Sequence, residues 1–174
     1  ARRYGYSGAK FAWEADGSGD EHCPSWQYAD HEIHVTADVV FAVAHYVSAT
    51  GDEEFLFGEA LPLLVETARY WMERIDLDAH GRPVLVGVMG PDEYKPLSHN
   101  NAFTNRLVAF HLRYAAAMLE RCRVERPARW DDLVRDSGLT RDECAGFASA
   151  SRGLPVRVDP DRGVVLQSDD FDSY

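Results

Sequence analysis

Cysteine is scarce in this chain, with three in 174 residues: Cys23, Cys122 and Cys144. They lie far apart and form no Cys-x-x-Cys pair. An odd, scattered set argues against a disulfide framework or a cysteine zinc site, and fits buried thiols in a reducing, cytoplasmic setting. Positive charge is also short, with 18 Lys and Arg against 29 Asp and Glu and a formal net charge of −11. Nucleic acid and anionic membrane surfaces both select for clustered Lys and Arg, so neither is expected as a partner. Most of the acidity reads as solvated helix surface. No apolar run reaches the ~18 residues needed to span a bilayer. Internal repeats and low-complexity tracts are missing too.

What is present has the proportions of one globular domain, 45% hydrophobic and 27% charged, enough to bury a sizeable core. The chain has no initiator Met and opens inside a glycine-aromatic run, residues 1–9. It therefore reads as a piece of something longer, and the lack of a leader peptide carries no information.

Residues 8–30 read as irregular, punctuated by Gly17, Gly19 and Pro24. Over 36–49, Ala37, Val39, Val40, Phe41, Ala42, Val43, Ala44, Tyr46 and Val47 leave almost no polar face. That predicts a helix buried on all sides, as in the inner layer of a helical barrel. Thr50 and Asp52 are rival N-caps for the next helical stretch, 55–75. Pro62 requires its main helix to start near Glu59, with the proline in the first turn. Leu61, Leu64, Val65, Ala68, Trp71, Met72 and Ile75 then form one stripe, as on an outer-layer helix. A short strand is expected over 84–89 and a helix over 101–121 with Phe103, Leu107, Phe110, Tyr114 and Met118 on one face. Thr140 and Glu143 form a capping box opening a helix to about Ser151. A hairpin over 156–167 and a helix-free end complete the chain.

Two metal patterns fail on inspection. Asp16, Ser18 and Asp20 have calcium-loop spacing, but Glu21 stands where the loop needs glycine and Gln27 where it needs glutamate. His31 and His34 sit a helical turn apart with no third ligand in view, so no metal is expected.

The stretch that organises the rest is 87–105. An extended apolar run stops at Gly90-Pro91, and a long amphipathic helix starts near Asn101. Between them lie Asp92, Glu93, Tyr94, Lys95, His99 and Asn100. Glu93 is thereby held at a fixed turn after apolar sequence, a setting that favours a raised pKa and proton donation at neutral pH. Asp92 reads as support for the turn. Far upstream, Trp13-Glu14 pairs an indole with a carboxylate. That pair suits a sugar, with the ring over its C–H face and the carboxylate accepting hydroxyl bonds, though from the residues alone a Trp anchoring a loop to the core is the commoner reading.

Gly87-Val88-Met89-Gly90-Pro91-Asp92-Glu93-Tyr94-Lys95 followed by Asn100-Asn101-Ala102-Phe103-Thr104-Asn105 resembles the general-acid segment of glycoside hydrolase family 65, the maltose, kojibiose and trehalose phosphorylases. The resemblance implies an (α/α)6 barrel catalytic domain, of which residues 1–174 form one incomplete segment with short β-hairpins in its loops. It implies that Glu93 protonates the glycosidic oxygen. The segment 8–14 is similar to a family stretch whose Trp and Glu line the sugar site, which assigns Trp13 and Glu14 to substrate binding; Ala12 replaces the family's proline. His34 and Thr36 match a segment on the acceptor side. Asn100 and Asn101 are further hydroxyl contacts, with helix capping as the alternative. Lys95 stands where the family usually has His, and a cation there lowers the pKa of Glu93 unless the side chain turns away.

The implied reaction is phosphorolysis of an α-glucosidic bond in a disaccharide, with inversion. The substrates are the disaccharide and inorganic phosphate, and no other cofactor is needed; a homodimer of the full-length protein is compatible with it. The family's phosphate-binding loop, the second carboxylate of its hydrolases and its upstream Trp-Asp segment lie outside these residues. An inverting, trehalase-like α-glucoside hydrolase of the same fold is therefore an alternative, and a non-catalytic helical carbohydrate-binding module is another.

Overall fold

In a computed structural model, residues 1, 4–95 and 97–173 of the protein are described, residue 173 without its side chain. Arg2 and Arg3 of the opening run, Pro96 of the central loop and Tyr174 lie outside the described residues. The architecture is mainly helical, as expected for part of an (α/α) barrel. Among the described residues no helix is long and apolar enough to cross a membrane.

Helix α1 (Trp26–His31) leads into α2 (Val35–Thr50), which stops at Gly51 in the left-handed region, its N–H bonded to the Val47 carbonyl at 2.9 Å. Asp52, not Thr50, then caps α3 (Glu53–Phe55), accepting from the Phe55 N–H at 2.9 Å. A π-helical turn, Leu56–Ala60, joins α3 to α4 (Leu61–Arg74), with Pro62 in the first turn as anticipated. Proline contributes no N–H, so carbonyls in the preceding turn lose a donor. Arg129 replaces it, donating to the Phe57 oxygen from Nε at 2.7 Å and to the Gly58 oxygen from Nη2 at 2.9 Å. Arg129→Ala should cost about 2 kcal/mol, read from urea unfolding, because it strands these carbonyls beside the core.

Strands β1 (Asp76–Leu77) and β2 (Pro83–Val84) pair antiparallel, with Asp76 opposite Val84. The strand expected over 84–89 is thus mostly extended chain, closed further on by a single Val88–Ser98 bridge. Helix α5 (Ala102–Glu125) follows. Helix α6 (Pro127–Ser137) was not anticipated from the sequence; it buries Leu133 and ends at Gly138. Helix α7 (Arg141–Gly153) opens on the expected capping box: Thr140 Oγ1 accepts from the Glu143 N–H at 3.1 Å, and the Glu143 carboxylate accepts from the Thr140 N–H at 2.9 Å. β3 (Val158–Asp159) and β4 (Val164–Val165) make the expected hairpin. The end of the chain departs from expectation by one 3₁₀ turn, Phe171–Ser173.

Burial among the described residues is distributed differently from the two helix faces read from the sequence. Helix α2 buries Thr36, Ala37, Val40 and Ala44 but leaves Phe41 and Tyr46 open, since among the described residues nothing covers its second flank. Helix α4 is instead enclosed, with α5, α6 and α7 on one side and the N-terminal segment on the other. That segment buries Tyr70, whose ring meets Tyr6 edge-on, while Met72 of the expected stripe is exposed. On α5 the buried row is Thr104, Val108, His111, Leu112, Ala115, Leu119 and Cys122. Of the row expected on one face, Leu107, Tyr114 and Met118 pack partly buried against the core, and Phe110 packs against Phe41 and Tyr114.

His111 lies fully buried at the centre. Trp71 Nε1 donates to its Nδ1 at 3.1 Å, and its Nε2 lies 2.9 Å from Thr67 Oγ1, whose own proton goes to the Leu63 carbonyl. The ring is therefore neutral with the proton on Nε2. Burial pushes its pKa down to about 3. The unfolded imidazole binds a proton below ~6.5 and the folded one does not, so stability is lost as pH falls through that value. Between pH 7 and 5 this amounts to about 2 kcal/mol, and the difference in urea midpoint between those pH values should shrink correspondingly in His111→Gln.

Candidate active site

The loop carrying Glu93 is pinned at its base and free at its tip. The Val88 and Ser98 backbones exchange hydrogen bonds of 3.0 and 2.8 Å, and the Asn100 N–H reaches the Leu85 carbonyl at 2.7 Å. The Met89 N–H bonds the His31 carbonyl at 2.9 Å, and His31 Nδ1 donates to the Gly87 carbonyl at 2.7 Å. This bond takes up one histidine of the candidate metal pair. Gly90 packs flat against the Asn101 amide; a Cβ there would come within 2.7 Å of Asn101 Cγ. Asp92 supports the turn as expected, accepting from the Tyr94 N–H at 3.2 Å and from Gln167 Nε2 at 2.9 Å.

Glu93 stands at the exposed tip within these residues. Lys95 does not oppose it. The ammonium turns inward to the C-terminal segment, 3.5 Å from the Asp170 carboxylate and 3.2 Å from the Asp170 carbonyl. The buried carboxyl of the site is Glu32, only 1% exposed, with neither oxygen hydrogen-bonded. Burial, and then the charge of Glu93, push its pKa up to about 7. The sequence offered a signal for Glu32: an acid two residues before His34, next to apolar Ile33, which read only as spacing within a metal pattern.

His34 is 5% exposed and links the parts. Its Nδ1 donates to Asp38 at 2.7 Å, which leaves Nε2 facing Glu32 Oε1 at 3.8 Å. Trp13 and Phe103 meet the imidazole edge-on, with centroids at 5.7 and 5.3 Å. Glu32, His34, Trp13 and Phe103 thus form one cluster from three separate stretches of chain, and the charge of Glu93, on a fourth, bears on Glu32.

The remaining sequence-derived candidates divide differently. Glu14 is exposed beside Trp13 on a loop held by Glu21, whose carboxylate accepts from the N–H groups of Trp13 (2.6 Å), Glu14 (3.0 Å) and Cys23 (3.1 Å). Burial raises the pKa of Glu21, but the three backbone donors together outweigh it and hold the carboxyl below its usual range. Thr36 is fully buried and its hydroxyl accepts from the Phe11 N–H at 3.0 Å, tying that loop to α2. Asn101 caps α5, accepting from the Thr104 N–H at 3.1 Å. Asn100 is buried in a left-handed conformation, accepting from the Leu85 N–H at 3.0 Å and donating to Asp169 at 2.6 Å. Both asparagines knit the loop base. On the loop's other flank, Trp26, Tyr94, Leu97 and Phe171 line an open cleft of ≈ 620 Å³ that does not include Glu93.

The sequence profile of the glycosyl hydrolase family 65 central catalytic domain matches residues 1–174. Kojibiose phosphorylase of Halothermothrix orenii is 30% identical over 98% of this chain and 24% of its own length. Kojibiose hydrolase of Flavobacterium johnsoniae is 36% identical over 80% of this chain and 22% of its own. A solved structure titled putative kojibiose phosphorylase from human microbiome superposes on 99% of this chain with a TM-score of 0.87 at 25% identity, and this chain covers 22% of it. The chain thus spans less than a quarter of the length of these relatives.

Proposed function

This chain belongs to glycosyl hydrolase family 65, and from that premise we propose that it is one segment, residues 1–174, of the (α/α)6 catalytic domain of an inverting disaccharide phosphorylase. In this reading Glu93 is the general acid. A phosphate oxygen attacks the anomeric carbon from the face opposite the leaving group. The glycosidic C–O bond breaks, the Glu93 proton passes to the departing oxygen, and the configuration inverts. Phosphate is already anionic, so no second carboxylate is needed to activate it. Trp13 offers its indole face to the sugar, and Glu14, His34 and Thr36 belong to the walls around it, Thr36 by holding the 11–14 loop in place.

The observation that supports this reading is that Glu93 stands on a rigidly based loop and its charge bears on the buried Glu32, beside His34 and Trp13. A second reading, hydrolysis by the same acid, is favoured by the 36% identity to a kojibiose hydrolase. Incubating the full-length protein with a glucose disaccharide, with and without phosphate, separates the two. Phosphorolysis yields glucose 1-phosphate only when phosphate is present; phosphate-independent release of free glucose alone would replace it with hydrolysis.

A further inference from the structure

Glu93 sits in a turn whose two ends are both tied to the C-terminal segment. The Lys95 N–H bonds the Asp92 carbonyl at 3.2 Å, which puts Glu93 and Tyr94 at the corners. At one end, Gln167 Nε2 donates to the Asp92 carboxylate at 2.9 Å. At the other, the Lys95 ammonium lies 3.5 Å from the Asp170 carboxylate and donates to the Asp170 carbonyl at 3.2 Å. The same segment is moored to the loop base. The Ala102 N–H bonds the Gln167 carbonyl at 2.8 Å, the Asp169 N–H bonds the His99 carbonyl at 3.0 Å, and Asn100 Nδ2 donates to the Asp169 carboxylate at 2.6 Å. The Lys95 side chain is only 12% exposed, so the described residues themselves enclose this pairing.

The competing place for that ammonium is against the acid. The ends of a turn of this kind lie within about 7 Å of each other, and the lysine stem is long and flexible, so the ammonium can reach the Glu93 carboxyl. A cation there favours the ionised carboxylate, which has no proton to donate. The other ionisable groups about the turn and the segment are Asp92, engaged by Gln167; His99, whose Nδ1 accepts from the Gly87 N–H; Asp169, bonded to Asn100; Asp172, 3.5 Å from Arg157; and Glu32, on which the charge of Glu93 bears.

We propose that Asp170 is a positioning residue for the general acid: by drawing the Lys95 ammonium into the C-terminal segment it keeps that charge off Glu93, so that the acid holds its proton to higher pH. This rests on the assignment of Glu93 as the acid.

The test is a double-mutant cycle on the pH profile of kcat/KM in the full-length protein, whose alkaline limb reports loss of the essential acid proton in the free enzyme. Asp170→Asn keeps the shape and the backbone carbonyl contact and removes only the charge that holds the ammonium. Its limb should move to lower pH by about 0.5–1 unit, a shift held down by solvent screening at the exposed tip. In Lys95→Met the limb should not move down, and adding Lys95→Met to Asp170→Asn should bring it back up. Phosphate titrates identically in all four proteins, so the differences isolate the two side chains. An unmoved limb in Asp170→Asn, a limb lowered in Lys95→Met or equally low in the double variant, or activity reduced evenly at every pH as for a merely structural residue, overturns the proposal. Acetylation gives a reading that needs no substitution. Lys95 in the unaltered protein should react with acetic anhydride severalfold more slowly than in a free peptide of residues 90–98, read by mass spectrometry; equal rates overturn the proposal. Normal turnover by Glu93→Gln would instead refute the underlying assignment of Glu93, whereas an inactive Glu93→Gln with an unmoved Asp170→Asn limb refutes only the role of Asp170.

Discussion

Glu93→Gln in the full-length protein should lower kcat on a glucose disaccharide by about 10²–10⁴-fold, the range a positioned general acid contributes, while KM stays within a few-fold. Glutamine keeps the shape and loses the transferable proton. The loop should survive the change, because its anchors are backbone bonds at 88, 89, 98 and 100 together with the Asp92 turn, and none involves the Glu93 side chain. A drop in kcat with KM retained marks an interaction made only in the transition state. Steady-state kinetics on the purified variant, with circular dichroism to verify the fold, reads both quantities.

Gly8→Ala should destabilise the protein by about 3 kcal/mol or more, combining overpacking with a left-handed backbone. Gly8 has φ +68°, and a Cβ there would overlap the Glu66 carbonyl oxygen and lie 2.8 Å from the Tyr70 nitrogen. Both are helix backbone atoms of α4, so no side chain can move aside. The contact is flanked by the Ala9 N–H bond to Glu66 O at 2.9 Å, and by Ser7, whose N–H and hydroxyl reach Glu73 at 2.7 and 2.6 Å. Displacing this mooring also unseats the loop that leads to Trp13. Urea unfolding should show the loss, and sugar turnover should fall with it. Gly17→Ala is the control: it has open space and no positive φ, and should be neutral within about 0.5 kcal/mol.

The helices with strong local signals were legible in the sequence. The Thr140–Glu143 box, the entry at Pro62 and the start at Asn101 all rest on side chains acting within a few residues of themselves. Which helix faces are covered within these residues was not legible, because that depends on segments distant in sequence. The N-terminal segment encloses α4, an arrangement set by Gly8 and Tyr6 some sixty residues away in sequence. Helix α6 hides behind Pro127 and a short polar face with one buried leucine.

At the site, the sequence pattern drew attention to Glu93, whereas the carboxyl that these residues bury is Glu32. An apolar run before a turn indicates that the chain enters from the core; it does not say where the tip ends. Glu32 is buried where three-dimensional packing brings Trp13 and Phe103 around His34 at the start of α2, which no local window contains. The asparagine pair shows the same. Their bonds to Leu85, Asp169 and the first turn of α5 hold the loop base, and the first two of these partners are ones that no local pattern reveals.

The role of Glu93 can be isolated by giving the Glu93→Gln protein a substrate that needs little acid help. With α-glucosyl fluoride and phosphate, the departing fluoride requires far less protonation than a sugar alcohol, so turnover should return close to that of the unaltered enzyme while the disaccharide remains nearly inert. Equal losses on both substrates would mean that position 93 does something other than protonate the leaving oxygen.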